Sequence, residues 1–265
     1  MTFLSDMPDG DGEVYRVDTG LAEFYADPHM PGAWTLVLDG MPQSHVNADD
    51  PTMIAFDYVR RIVDIIDTVA PPGPLRFLHL GGGGLTLPRC LAALRPGSEQ
   101  RVVEIDGSLA GLVLARSPLE DDSITVTIGD ALDALRPLPV GAFDVVIADI
   151  FTGARVPGHV RTSEFAQLAA RAVDRDGCYI ANIIDKSPLD FARGQAATLR
   201  EVFNTVAIMA DAAVLRGRRS GNLLLVGGDD IDLGGMVRRA ATDPFPVRVE
   251  HGDRLTSFIK GRSRL

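Results

Sequence analysis

Residues 75–94 read LRFLHLGGGGLTLPRCLAAL, and this stretch decides the fold. Leu75 to Leu80 is a short, nearly continuous apolar run, the pattern of a strand buried on both faces. Gly81 to Gly84 follow, and then Leu85 to Leu94 has the spacing of a helix. Strand, glycine turn and helix make the opening unit of a doubly wound α/β sheet. Glycine lets the backbone turn tightly and approach a ligand at the crevice above the strand ends. The pattern is not G-x-G-x-x-G, because Thr86 stands where the third glycine would be.

The same alternation continues downstream. Strands are expected at 101–106, 124–130, 143–149 and 178–185, with helices at 107–117, 131–135, 162–173 and 188–203. TVAIMA (205–210) and NLLLVGG (222–228) are then joined by the polar LRGRRSG, which predicts an antiparallel pair at a sheet edge. Five parallel strands plus such a pair predict a class I S-adenosylmethionine methyltransferase-like, Rossmann-type sheet rather than a dinucleotide dehydrogenase. Upstream, EVYRVDT (13–19), LAEFYAD (21–27) and AWTLVLDG (33–40) predict a small antiparallel sheet, with a turn at Asp39–Gly40. A helix capped by Asp49 or Asp50, with Pro51 in its first turn, carries Ile54, Tyr58, Ile62, Ile65 and Ile66 on its apolar face. Pro71 to Pro74 ends it. The expected division is a small N-terminal β-sheet domain at 1–50 and a Rossmann-like nucleoside-binding catalytic domain at 51–265.

Composition narrows the function. The chain has 265 residues, 46% of them apolar, and a net charge of −10. It has the length for one large α/β domain with an appendage. The acidic balance argues against a nucleic-acid partner, since little would release phosphate counterions. No apolar run reaches the ~18 residues of a membrane span, and the acidic start MTFLSDMPDGDGE lacks a signal-peptide pattern. A cytoplasmic protein is therefore expected. Cys90 and Cys178 read as reduced core thiols. The five histidines show no ligand spacing, so no metal is expected. The tail HGDRLTSFIKGRSRL, basic at its end, reads as a solvated terminus.

Four features carry candidate chemistry. Gly81, Gly82 and Gly83 form the first. Glu104 ends the second strand, 21 residues beyond Gly83, where a carboxylate can accept both hydroxyls of a ribose. Asp106 reads as the cap of the next helix. Gly129-Asp130-Ala131 ends the third strand; there Asp130 can accept from an adenine amino group and the following N–H can meet a ring nitrogen, or Asp130 can cap the next helix. Asp149 ends the fourth strand, where a carboxylate can bind an ammonium and take its proton. Together they point to an adenosine ligand.

In this order the residues resemble the spermidine synthase family of aminopropyltransferases, over roughly 34–228. LVLDGMPQ (36–43) is similar to the family's L-x-L-D-G-x-x-Q, FLHLGGGGL to its glycine motif, VVEID to its ribose motif, IGDALDAL to its adenine motif and FDVVIAD to the strand of its catalytic aspartate. The resemblance implies that Gln43 flanks the thioether or sulfonium of the nucleoside. It further implies that Glu104 holds the ribose, Asp130 and Ala131 the adenine, and that Asp149 is the catalytic carboxylate. It implies no permanently bound cofactor and no metal. The implied co-substrate is decarboxylated S-adenosylmethionine, the partner a small-molecule amine, and the assembly a homodimer. Departures fall on the polyamine side. Gly84 stands for the Asp of G-G-G-D-G that grips the donor's amine, Ala55 and Phe56 for Tyr and His, and Thr152 for a second Asp. Asp57 and Asp185 are the candidate substitutes for binding the acceptor. Two other readings stay open: a methyltransferase using S-adenosylmethionine, and a non-catalytic nucleoside-binding homologue.

Overall fold

The computed structural model describes residues 12–120, 122–153 and 155–260. The leader reading at the N-terminus therefore lies almost wholly outside the described residues, as does the basic end of the tail.

The chain opens with β1 (Glu13–Val17), β2 (Gly20–Ala26), β3 (Ala33–Leu38) and β4 (Met41–Asn47), an antiparallel sheet in that order. The expected Asp39–Gly40 turn joins β3 to β4, with φ of 48° and 75°, as a two-residue hairpin requires. β4 itself was not legible. Met-Pro-Gln-Ser-His has no apolar alternation, and a register shift at Leu36/Val37 accommodates it.

The helix α1 (Asp57–Val69) begins later than Asp49 or Asp50 would cap it. Asn47 Oδ1 accepts from the N–H groups of Asp49 and Asp50, each at 3.1 Å, and Asp50 Oδ1 from Thr52 N–H at 3.0 Å. These short side chains hold the backbone in turns and so compete with the helix. From Val59 onward α1 buries Ile62, Ile65 and Ile66 completely against the sheet.

The expected alternation follows: β5 (Arg76–Leu80), α2 (Thr86–Leu94), β6 (Glu99–Glu104), α3 (Gly107–Arg116), β7 (Ile124–Ile128), α4 (Ala131–Leu135), β8 (Phe143–Ala148), α5 (Ser163–Ala172), β9 (Val173–Asp185) and α6 (Asp190–Leu199). Then come β10 (Thr205–Asp211), α7 (Ala212–Leu215), β11 (Gly221–Gly228), α8 (Leu233–Ala240), β12 (Val247–His251) and α9 (Gly252–Ile259). The large sheet runs β12-β10-β11-β9-β8-β5-β6-β7. The five strands from β9 to β7 are parallel, and β11 lies antiparallel to both β9 and β10. The expected antiparallel pair therefore exists, but it is not at the edge. β12 pairs with β10 and takes that place.

The tail reading is corrected where it is described. Residues 251–259 end β12 and form α9, and Leu255 is buried in the main core. Leu255, with Phe258 and Ile259 packed beside it, anchors a segment whose polarity suggested solvent.

Apolar layers cover both faces of the large sheet. A third cluster joins the small sheet to it: Phe24, Trp34 and Leu36 pack with Val102, Leu109 and Leu85. Asp106 locks the same junction. It caps α3 through Leu109 N–H at 2.7 Å, as expected, and also accepts from Thr19 N–H at 2.8 Å and Thr19 Oγ at 2.6 Å. The small sheet is thereby held over the glycine turn.

Candidate functional site

The strand order reverses between β5 and β8, and a cleft of about 610 Å³ opens above the carboxyl ends of the parallel strands there. Gly81 and Gly83 adopt φ of 96° and 49° at its floor. A Cβ on Gly81 would lie 2.2 Å from the Asp149 carbonyl oxygen, so only glycine fits. Glu104 organises this turn. Its Oε2 accepts from Gly82 N–H at 2.8 Å and Gly83 N–H at 3.2 Å, and its Oε1 from Asp106 N–H at 2.9 Å. The carboxylate is buried yet lines the cleft. It keeps about one acceptor site beyond these three bonds, since two carboxylate oxygens offer about four.

Asp130 caps α4 through Leu132 N–H at 2.8 Å and Asp133 N–H at 3.2 Å, and Ala131 follows it on the wall. Its second oxygen meets His159 Nε2 at 2.8 Å. His159 belongs to a short 3₁₀ turn, 158–161, far along the chain, and sequence reasoning missed it.

Asp149 sits at the centre of a half-buried polar group. Asn182 Nδ2, on β9, donates to its Oδ1 at 2.8 Å, and Asn222 Nδ2, on β11, donates to Asn182 Oδ1 at 2.9 Å. The Tyr58 hydroxyl faces the same carboxylate from α1. Burial pushes the Asp149 carboxyl above the usual range, against the pull of Asn182 and Tyr58 toward the charged form. Tyr58 is pushed well above its ordinary value, first by burial and then by the Asp149 charge. Tyr58 was legible only as an apolar helix-face residue. A phenol two residues past Phe56 was the available signal.

The remaining candidates divide. Gln43 and Thr152 line the cleft. Asp57 does not; it pairs with Arg60 at 3.0 Å on the exposed side of α1. Asp185 does not either; its oxygens accept from Lys186 N–H at 2.7 Å and Ala192 N–H at 2.9 Å, closing the turn into α6. Both were chosen for charge, and strand or helix direction turns them elsewhere. Gly84 has a packing reason. Its N–H donates to Ser44 Oγ at 2.9 Å, and a Cβ there would meet Ser44 Cβ at 2.7 Å. The residue after it, Leu85, is buried under the small sheet with φ of 61°.

Three carboxylates, Glu104, Asp130 and Asp149, line the cleft, and among the described residues no Lys or Arg does. Among the described residues, too, no cluster of three or more His, Cys, Asp or Glu side chains gathers as metal ligands would. The cleft therefore favours a cationic guest.

No family model matches the chain. A polyamine aminopropyltransferase of Vibrio vulnificus (strain CMCP6) is 31% identical over 153 residues, covering 57% of this chain and 50% of that protein. The chain spans about half the length of the curated relatives it matches. The crystal structure of a probable spermidine synthase from Corynebacterium glutamicum ATCC 13032 superimposes with a TM-score of 0.89 at 29% identity, covering 97% of this chain and 96% of that one. Human methyltransferase-like protein 13, in complex with SAH, shares the fold at a TM-score of 0.56 and 18% identity, covering 79% of this chain and 95% of that one. The protein is thus an α/β protein of the class I methyltransferase-like type. Within that class it is similar to polyamine aminopropyltransferases and to a probable spermidine synthase, in line with the motifs from LVLDGMPQ to FDVVIAD.

Proposed function

We propose that this protein transfers an aminopropyl group from decarboxylated S-adenosylmethionine to an amine. The observation that carries the proposal is the charge of the cleft: three carboxylates and, among the described residues, no Lys or Arg. S-adenosylmethionine itself brings a carboxylate, which such a wall repels; its decarboxylated form brings only cations.

The geometry supports a role for each side of the cleft. Glycines 81–83 let the nucleoside approach the backbone. Glu104 accepts from a ribose hydroxyl with its remaining acceptor site, and Asp130 and Ala131 face the adenine once His159 yields its place. Gln43 stands over the sulfonium. The acceptor arrives as an ammonium, and Asp149 binds it and draws off a proton, with Tyr58 and Asn182 holding the carboxylate in line. The freed nitrogen lone pair attacks the propyl carbon beside sulfur. The C–S bond breaks, its electrons stay on sulfur, and neutral methylthioadenosine leaves. The homodimer that the resemblance implies belongs to the same proposal, and sedimentation of the full chain checks it.

The test is to incubate the protein with each donor and a panel of amines. Methylthioadenosine formed only when amine is present is the expected product. S-adenosylhomocysteine would instead identify a methyltransferase, and tight nucleoside binding with no product a non-catalytic homologue.

A further inference from the structure

Phe56, Ile150, Phe151 and Ile184 line the cleft together with neutral polar groups, the amides Asn182 and Asn222 and hydroxyls that include that of Tyr58. Among the described residues Asp149 is the one carboxylate at this end, because Glu104 ends β6 and Asp130 follows β7 on the nucleoside side. The two acidic residues the sequence offered for the acceptor are committed elsewhere: Asp57 to Arg60, and Asp185 to two backbone N–H groups. Thr152 is neutral, and its backbone is tied to Arg155 by hydrogen bonds of 2.8 and 3.3 Å. One end of an amine therefore finds a carboxylate, and the rest of the molecule finds rings, aliphatic chains and neutral polar groups, with no second carboxylate among the described residues at this end.

From this we infer that the acceptor is a primary amine with one positive charge and an apolar body, rather than a diamine. The inference rests on aminopropyl transfer at this cleft. A second ammonium held against Phe151 and Ile184 would lose its water without gaining a carboxylate to pair its charge, which is costly. An aliphatic or aromatic body in the same place gains by leaving water. The amine nitrogen forms the new C–N bond, and the sulfonium C–S bond breaks onto sulfur. The proton displaced from nitrogen passes to Asp149 and on to solvent.

The experiment supplies decarboxylated S-adenosylmethionine and measures methylthioadenosine release with putrescine, n-pentylamine and phenethylamine. The kcat/KM of at least one monoamine should exceed that of putrescine about tenfold or more, the scale of one charge-assisted hydrogen bond. Ile184→Asp should shift the preference toward putrescine, and Phe151→Asp provides the same reading should the first variant fold poorly. Equal or greater kcat/KM for putrescine in the unmodified protein overturns the inference and leaves aminopropyl transfer standing. Release with none of the amines, while calorimetry shows the donor bound, overturns the transfer reading and the inference with it.

Discussion

Asn182 donates its amide to Asp149 Oδ1 at 2.8 Å from the neighbouring strand, so the carboxylate is held from β9 as well as by Tyr58 of α1. Asn222, one strand further, fixes the orientation of that amide by donating to its oxygen. An amide held in this way cannot turn its oxygen toward the carboxylate.

Removing the support should damage transfer more than binding. Asn182→Ala deletes one hydrogen bond to a charged group, worth ~1.5–3 kcal/mol, and so about a 10–100-fold loss in kcat. Asn182 favours the charged form of Asp149, so the acidic limb of the pH–rate profile should also move to higher pH. An unshifted limb with a changed nucleoside Kd would place Asn182 in binding instead.

Asp149 carries its own pH signature. Burial raises its folded-state pKa above that of an ordinary aspartate, so over that interval the folded state keeps a proton that the unfolded chain has lost. Stability from this group is therefore greatest at low pH and declines as pH rises through the raised pKa. Asp149→Asn removes the charge that folding must bury. Its Tm relative to the unmodified protein should be more favourable at about pH 7 than near pH 4, while transfer is abolished. A Tm difference independent of pH sinks the assignment.

Glu104 binds the glycine turn as well as facing the cleft. Glu104→Gln replaces one acceptor oxygen by a donor opposite backbone N–H groups. It should cost about 1.5–3 kcal/mol of folding stability in addition to weaker nucleoside binding. Urea unfolding and calorimetry measure the two effects separately. Weaker binding at unchanged stability contradicts the turn-holding role.

Gly84 is a glycine because β4 comes close. Gly84→Asp puts a Cβ 2.7 Å from Ser44 Cβ and should destabilise by about 1–3 kcal/mol. Ser44→Gly in the same chain should recover part of that loss. If the single variant melts with the parent protein, packing does not explain the residue.

Much of the molecule was legible along the chain. The alternation of apolar strands and amphipathic helices follows from local burial, so the parallel sheet and the glycine turn could be read directly. So could Glu104, Asp130 and Asp149, because a polar residue closing an apolar strand lands at the crevice by geometry alone. What only the tertiary structure decided is which distant groups meet there. Tyr58 and Asn222 come from elements far from Asp149 in the chain, and His159 lies 29 residues from Asp130; no local pattern ties either set together. Asp57 and Asp185 show the converse: their charge was evident, but the direction of each side chain depends on helix phase and turn geometry, and that direction points them out of the cleft. The strand periodicity settles where the rim lies. The packing of β4, β9, β11 and α1 around it settles which side chains reach a ligand there.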